Sequence, residues 1–215
     1  MKSIYNLFGI LFVLSMSAHT SAQPVYGFKG GFNFANMLVI DDYNNEASNC
    51  KMNLGFNAGV TAEFPINEIF SIETGLFLSE RGYKTVIKEN DYRNTLKFTL
   101  FYLDIPLTVK RYLDMSGRKL YGLLGPYFGT GIYALAKDIL RSEGNYEKDT
   151  QKIKWGSDGD IKRYDFGLSF GAGVEIEVFH FELMYNLGLV NISNNVEDGE
   201  KMNHRTLALS AGYWF

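Results

Sequence analysis

Strict alternation of apolar and polar residues runs through residues 164–178. Its odd positions hold only glycine, serine and acidic residues, and its even positions are Tyr164, Phe166, Leu168, Phe170, Ala172, Val174, Ile176 and Val178. Successive side chains of a β-strand point to opposite faces, so this pattern predicts a strand with one wholly apolar face. A tilted strand crosses a bilayer with about nine to eleven residues, and this segment is long enough. Residues 181–189 alternate again after a turn at Phe179–His180, which predicts an antiparallel hairpin.

The same period of two recurs along the rest of the chain. It predicts further strands at residues 25–38, 52–64, 70–79, about 96–112, 120–134 and 206–215, which makes eight strands; the faces of 120–134 are not assigned by the pattern. Pro106 is expected to cause a bulge or a local break, because proline has no backbone donor. The connections alternate between short turns and long polar segments, the latter at 39–51, 81–95, 136–162 and 192–203. This arrangement predicts an all-β fold, an eight-stranded antiparallel up-and-down transmembrane β-barrel.

The N-terminus has the pattern of a secretory signal peptide. Lys2 supplies a positive charge, residues 4–16 are an apolar core, and Thr20-Ser21-Ala22 offers a small-residue cleavage site. An apolar core of this length is too short for a transmembrane helix. We therefore expect a signal peptide at residues 1–22 and an outer-membrane β-barrel domain at 23–215.

Charged residues of both signs lie on the faces opposite the apolar ones. They are Lys29, Glu63, Glu73, Asp104, Lys110, Asp165, Glu175, Glu177 and Glu182. The interior of an eight-stranded barrel is just wide enough to be filled by side chains, and buried charges must be paired. We therefore predict a structural charge network in the lumen and no aqueous pore. A secreted, soluble ligand-binding barrel with the apolar faces inward is the alternative.

Aromatic residues cluster near the predicted strand ends, as interfacial girdles do. One level holds Tyr26, Phe64, Phe70, Phe181, Tyr213 and Phe215, and the other holds Phe34, Phe56, Tyr164 and Phe166. The chain ends in Phe215, with apolar residues at every second position before it. We interpret Tyr213 and Phe215 as an insertion signal for the barrel insertion machinery.

Six short blocks carry a resemblance to a known family. They are Gly27–Ala35, Gly55–Val60, Tyr102–Leu107, Gly125–Gly129, Phe166–Gly173 and Tyr185–Gly188. In their order and spacing they resemble the PorT-like outer-membrane β-barrel family of Bacteroidetes. The resemblance implies an eight-stranded barrel in the bacterial cell outer membrane. It implies no single activity, although some members are tied to protein secretion, so a secretion-apparatus-associated barrel is an alternative function.

Residues capable of chemistry are few. His204 begins the last strand near Ser193, Glu197 and Asp198 of the preceding loop, and a rim site of this kind would make the protein an outer-membrane enzyme. A polar loop also contains such residues by chance, and we predict no catalytic, cofactor-binding or metal site. Cys50 is expected to be an unpaired thiol in an outer loop, because no neighbouring His or Cys has zinc-ligand spacing.

The segment 136–162 mixes charges of both signs with Tyr146 and Trp155. Binding function on a rigid scaffold concentrates in long loops, so these two residues are candidates for interaction with a protein or glycan partner. Outer-membrane lipid, lipopolysaccharide and the insertion machinery are the other expected partners. No basic aromatic patch indicates nucleic acid. The sequence thus predicts an integral outer-membrane barrel of structural or interaction type, and not an enzyme.

Overall fold

The protein was studied as a computed structural model that describes residues 23–40, 50–89, 92–115, 118–142, 145–156, 159–194 and 201–215. The described strands are β1 (Val25–Ile40), β2 (Cys50–Pro65), β3 (Phe70–Glu89), β4 (Tyr92–Met115), β5 (Arg118–Ser142), β6 (Asn145–Lys152), β7 (Tyr164–Ile176), β8 (Phe179–Gly188) and β9 (Lys201–Trp214). Within these ranges no helix is long and apolar enough to cross a membrane. The predicted signal peptide lies outside the described residues.

Eight of the strands close into a ring. Each pairs in antiparallel fashion with its neighbours along the chain, β1 pairs with β9, and β5 pairs with β7. Of the described strands, only β6 stands outside the ring, as an extra partner of β5. The prediction of an eight-stranded up-and-down barrel is confirmed. Ring closure pairs both edges of each barrel strand, which removes the edges at which such strands would aggregate.

Three strands continue far beyond the barrel at one end. β3, β4 and β5 have 20, 24 and 25 residues, and β6 pairs with the far end of β5. We call residues 82–89, 92–99, 135–142 and 145–152 the outer sheet, and the end that carries it the tall end. The predicted polar connections at 81–95 and at the start of 136–162 were therefore wrong. Near the barrel, Tyr83 and Phe98 pack into an apolar cluster while the neighbouring Lys84 and Lys97 lie on the opposite face, so the charged outward positions concealed the strand pattern.

The faces of β5 become clear in the structure. Tyr121 and Tyr127 are buried inside the barrel, whereas Leu124 and Phe128 are exposed outside it. The β4–β5 register shifts between Phe101 and Tyr102, which changes the phase of β5, so that Ala134 is buried inside. Pro106 interrupts the pairing of β3 with β4 without changing its register. The local break expected at this proline is thus present, without a bulge in this pair.

The outside of the ring is apolar. Side chains exposed there include Phe32, Leu54, Val60, Leu107, Leu124, Leu183 and Leu209. Aromatic residues mark the short-turn end, where Phe28 stacks on Tyr213 with ring centroids 5.9 Å apart and the Phe215 amide donates to the Tyr26 carbonyl. Tyr164, Phe166 and Phe56 are exposed nearer the tall end. Polar residues fill the inside, so the soluble arrangement with apolar faces inward is excluded.

Candidate functional site: the filled lumen and its mouth

Two lysines hold the lumen together near the short-turn end. Lys29 Nζ lies 2.7 Å from Glu73 Oε1 and 3.0 Å from Glu182 Oε2. Lys110 Nζ lies 2.9 Å from Glu63 Oε2 and also pairs with Glu73. These residues come from β1, β2, β3, β4 and β8, so the ion pairs cross-link five strands through the interior.

The acids of this network outnumber its lysines, and tyrosine hydroxyls supply the missing donors. Tyr112 donates to Glu63 at 2.6 Å and is also 2.8 Å from Glu175, which lies 3.7 Å from Lys110 Nζ. Tyr121 donates to Glu182 at 3.2 Å. Buried polar groups are costly when they lack partners, and here the Tyr112 phenol lies between two carboxylates that would otherwise repel each other.

A second network centres on Arg81, nearer the tall end. Its guanidinium donates to Asp104 and to Asp165, and its carbon lies 5.0 Å from the ring centroids of both Tyr102 and Tyr127. The Tyr127 hydroxyl donates to Asp165 at 2.9 Å. Sequence reasoning missed Arg81, because it opens a charged run taken for a loop. The period of two from Phe77 and Ser79 would have placed it in the lumen.

Amides and hydroxyls fill the space between the two networks. Asn57 Nδ2 donates to Asn33 Oδ1 at 2.8 Å, and the Ser210 hydroxyl donates to Asn57 Oδ1 at 3.0 Å. A cavity of about 40 Å³ remains here. A water molecule needs about 10–15 Å³ measured in this way, so the cavity has room for a few waters and is not a diffusion channel.

Glu177 is one predicted network residue that lies elsewhere. It is exposed in the turn between β7 and β8 and adopts a positive φ of 55°. The tight turn ends the alternation at Ile176, so the next acidic position no longer faces the lumen. The prediction that Glu177 joins the lumen network was therefore wrong.

At the tall end the lumen closes under aromatic rings. Tyr102 and His204 are fully buried, and His204 Nε2 lies 3.0 Å from the Tyr102 hydroxyl. The Trp155 ring meets Tyr102 edge to face, with centroids 5.4 Å apart, and covers Gly131. Trp155 thus packs against the protein's own residues at the mouth of the barrel. The sequence analysis had instead predicted that it contacts a binding partner. Tyr146 is 58 % exposed on β6.

The enzyme alternative depended on a rim site at His204. The structure encloses this side chain beneath the mouth, against Tyr102, and Ser193 is buried as well. Glu197 and Asp198 lie outside the described residues. In the described part of the chain, no three His, Cys, Asp or Glu residues are grouped so as to hold a metal ion.

An apolar cluster caps the mouth. Met37, Tyr83, Leu100, Ile161 and Ile192 form its buried centre. The cap segment, residues 153–156 and 159–162, folds back over the barrel, and the Asp160 carboxylate fixes it by accepting from the Lys154 amide at 2.8 Å. Cys50 packs half-buried against the cluster at the first position of β2. The prediction that it lies in a loop was therefore wrong.

Comparison with known families fixes the class of the protein. The model of the family described as "outer membrane protein beta-barrel domain" matches residues 21–194. The chain belongs to this family. Its barrel therefore lies in the bacterial outer membrane, with the apolar outside in contact with lipid. Barrels of this type have short periplasmic turns and longer extracellular parts, which puts the tall end outside the cell.

Several solved outer-membrane barrels are similar to this chain, with low sequence identity and low TM-scores. Ail of Yersinia pestis is 20% identical with a TM-score of 0.39, and the match covers 90% of this chain and 100% of Ail. Neisserial surface protein A is 13% identical with a TM-score of 0.41 and the same coverages. The outer membrane protease OmpT of Escherichia coli is 11% identical with a TM-score of 0.37, covering 93% and 100%. No curated protein sequence matches significantly.

Proposed function

We propose that this barrel is a non-enzymatic interaction protein whose outer sheet presents a binding surface for a protein or glycan partner outside the cell. The observation that carries the proposal is the outer sheet itself. β3, β4 and β5 continue beyond the barrel in paired, regular register, and β6 pairs with the far end of β5, so the surface is rigid. Rigid elements hold binding residues more accurately than mobile loops do.

The filled lumen supports this proposal over a transport function. Ion pairs through Lys29, Lys110 and Arg81 cross the interior, and a cavity of about 40 Å³ is too small for a solute. We assign these networks a structural role, since they link strands that are distant in sequence. Tyr146 remains the candidate contact residue, because it is exposed beside Arg141, whose guanidinium carbon lies 5.5 Å from its ring centroid.

Two finer assignments belong to the same proposal. The PorT-like resemblance favours a Bacteroidetes barrel, and an association with a secretion apparatus is the second candidate function. Tyr213 and Phe215 are proposed as the insertion signal, supported by the 78 % exposure of Phe215 at the short-turn end and the outward position of Tyr213 beside Phe28.

The proposal is tested by removing part of the outer sheet. Outer-membrane vesicles displaying the full chain, or a variant lacking residues 138–149 with a short glycine linker, are applied to glycan arrays and to immobilised extracellular proteins. The variant keeps the barrel strands and the cap segment, so it is expected to insert and to show heat-modifiable migration while its binding is lost. Tyr146→Ala serves as a point variant. Equal binding by the full chain and the shortened variant would reject the outer sheet as the binding surface.

A further inference from the structure

The two faces of the outer sheet differ in charge. Lys51, Lys84, Lys97 and Lys137 are directly opposite one another across β2, β3, β4 and β5, and the row ends at Thr150. Directly paired residues of an antiparallel sheet share a face, and like charges in such pairs are destabilising. A row of four lysines is therefore unfavourable unless anions lie against it.

A second row and a single lysine extend the cationic face away from the barrel. Arg93 pairs with Arg141, four residues beyond Lys97 and Lys137, and Lys148 lies between these rows opposite Ile139. Among the described residues, none of these cations forms an ion pair. Above Glu80, this face has no acidic residue in the described part of the sheet. The acidic residues of the outer sheet lie on its other face, where Asp138 is opposite Asp149.

The cationic face continues the lipid-facing wall of the barrel. Ala134 is buried in the lumen cluster and Tyr133 is exposed outside, so Lys137 and Arg141 point outward with Tyr133. Lys152 Nζ lies 5.9 Å from the Tyr133 ring centroid on this same face. On β3, Tyr83 is in the inner cluster, which places the neighbouring Lys84 outward.

The height of the two cationic rows above the membrane indicates which kind of anionic ligand they fit. Phe56 belongs to the aromatic level near the tall end; its ring centroid lies 6.2 Å from that of Phe101, which is 6.2 Å from that of Tyr133. Lys97 and Lys137 are four residues above them, or about 13 Å along strands that rise roughly 3.3 Å per residue. With a tilt of about 40° this is about 10 Å above the aromatic level. The long lysine side chains can thus reach down to the headgroups, whereas the arginine row, about 10 Å higher, is above the reach of a phospholipid headgroup.

We propose that this cationic face binds the phosphorylated sugars of lipopolysaccharide in the outer leaflet of the protein's own membrane. A phosphorylated glycolipid presents anions both at the bilayer surface and in the sugars above it, which matches two cationic rows at two heights. Binding would relieve the repulsion between the lysines and hold the outer sheet in its orientation above the membrane surface. This proposal goes beyond the proposed function, since it assigns the outward wall to lipid and leaves Tyr146 and the top of the sheet for a partner.

The test measures lipopolysaccharide binding by the full mature barrel in zwitterionic micelles. A trace of fluorescent lipopolysaccharide is titrated with protein and followed by anisotropy. A cation close to an anionic membrane surface strengthens binding about five-fold, so Lys84→Gln/Lys97→Gln/Lys137→Gln is expected to bind about 100-fold more weakly. The matched control, Lys154→Gln/Lys201→Gln/Arg118→Gln, removes equal charge from other places and is expected to bind like the wild type. Heat-modifiable migration confirms that each variant is folded.

Three outcomes would overturn the proposal. The first is equal binding of dephosphorylated lipopolysaccharide, and the second is an equal loss in the control variant. The third is tighter binding of soluble inorganic polyphosphate than of lipopolysaccharide by the wild type, which would assign the face to a soluble polyanion. Loss of glycan or protein binding in the vesicle assay is a separate readout, so failure of the proposed function is distinguishable from failure of this one.

Discussion

Arg81 and Asp165 are 84 residues apart in the sequence and meet inside the barrel, where Arg81 Nη1 donates to Asp165 Oδ2 at 2.8 Å. Arg81 is on β3 and Asp165 is on β7, so this pair connects strands that are not neighbours in the ring. Both side chains are inaccessible to solvent. The arginine also pairs with Asp104 of β4, which makes it the centre of the upper lumen.

Replacement of Arg81 is therefore expected to destabilise the barrel strongly. Arg81→Met leaves two buried carboxylates without a cation, and breaking a buried pair in this way costs about 3–5 kcal/mol. The triple variant Arg81→Met/Asp104→Asn/Asp165→Asn removes the uncompensated charges and is expected to recover most of the loss. Urea unfolding in lipid vesicles measures both. A single variant as stable as the wild type would mean that the network is not structural.

The lipid-facing assignment predicts a depth-dependent cost of charge on one strand. Leu168 is exposed on the outer face near the middle of β7, and Ile176 is exposed at its short-turn end. An arginine at the bilayer midplane costs about 2–4 kcal/mol, and one near the interface costs about 0–1 kcal/mol. Leu168→Arg is expected to lose this larger amount in vesicle unfolding, with Ile176→Arg as the control. Equal losses would contradict the orientation of β7 in the membrane.

The sequence was sufficient to predict the fold where strands cross the membrane. Alternation such as that of residues 164–176 has one physical cause, a strand with lipid on one side and a packed lumen on the other. The same reasoning failed at the outer sheet, where neither face meets the hydrocarbon core of the bilayer. On β3 the outward residue Lys84 is followed by Thr85, and on β4 the outward residue Lys97 is followed by Phe98. Because the outward residues are charged instead of apolar, the pattern resembles that of a polar loop.

Other features depended on distances that a single sequence does not contain. The positions of Lys29, Glu73 and Glu182 in the lumen follow from their phase within strands, but their pairing requires the register of β1, β3 and β8. Trp155 was visible only as an aromatic residue in a polar segment. Its place over Tyr102 results from the fold of the cap segment, which has no period of its own.

The packing of Trp155 over Gly131 can be tested by filling the space beside the glycine. An added Cβ at Gly131 would collide with the indole ring, whereas at Gly122 the nearest atom would be 4.0 Å away. Gly131→Ala is expected to displace Trp155 from the mouth and to increase acrylamide quenching of tryptophan fluorescence, while Gly122→Ala is expected to leave quenching unchanged. Trp214 contributes equally to both variants. Unchanged quenching in Gly131→Ala would show that Trp155 does not rest on Gly131 in the membrane.

Repulsion within the lysine row predicts a stabilising substitution. Lys97 has a lysine directly opposite on each side, Lys84 on β3 and Lys137 on β5. Lys97→Glu converts two like-charge pairs into two opposite-charge pairs, each favourable by about 0.2–1 kcal/mol in a sheet. In micelles free of lipopolysaccharide this variant is expected to unfold at higher urea than the wild type, with the gain decreasing in 0.5 M salt because exposed charges are screened. Lys154→Glu, at an exposed position of the cap segment, is the control and is expected to change little. A destabilised Lys97→Glu variant would contradict the register of β3, β4 and β5 on which the cationic face depends.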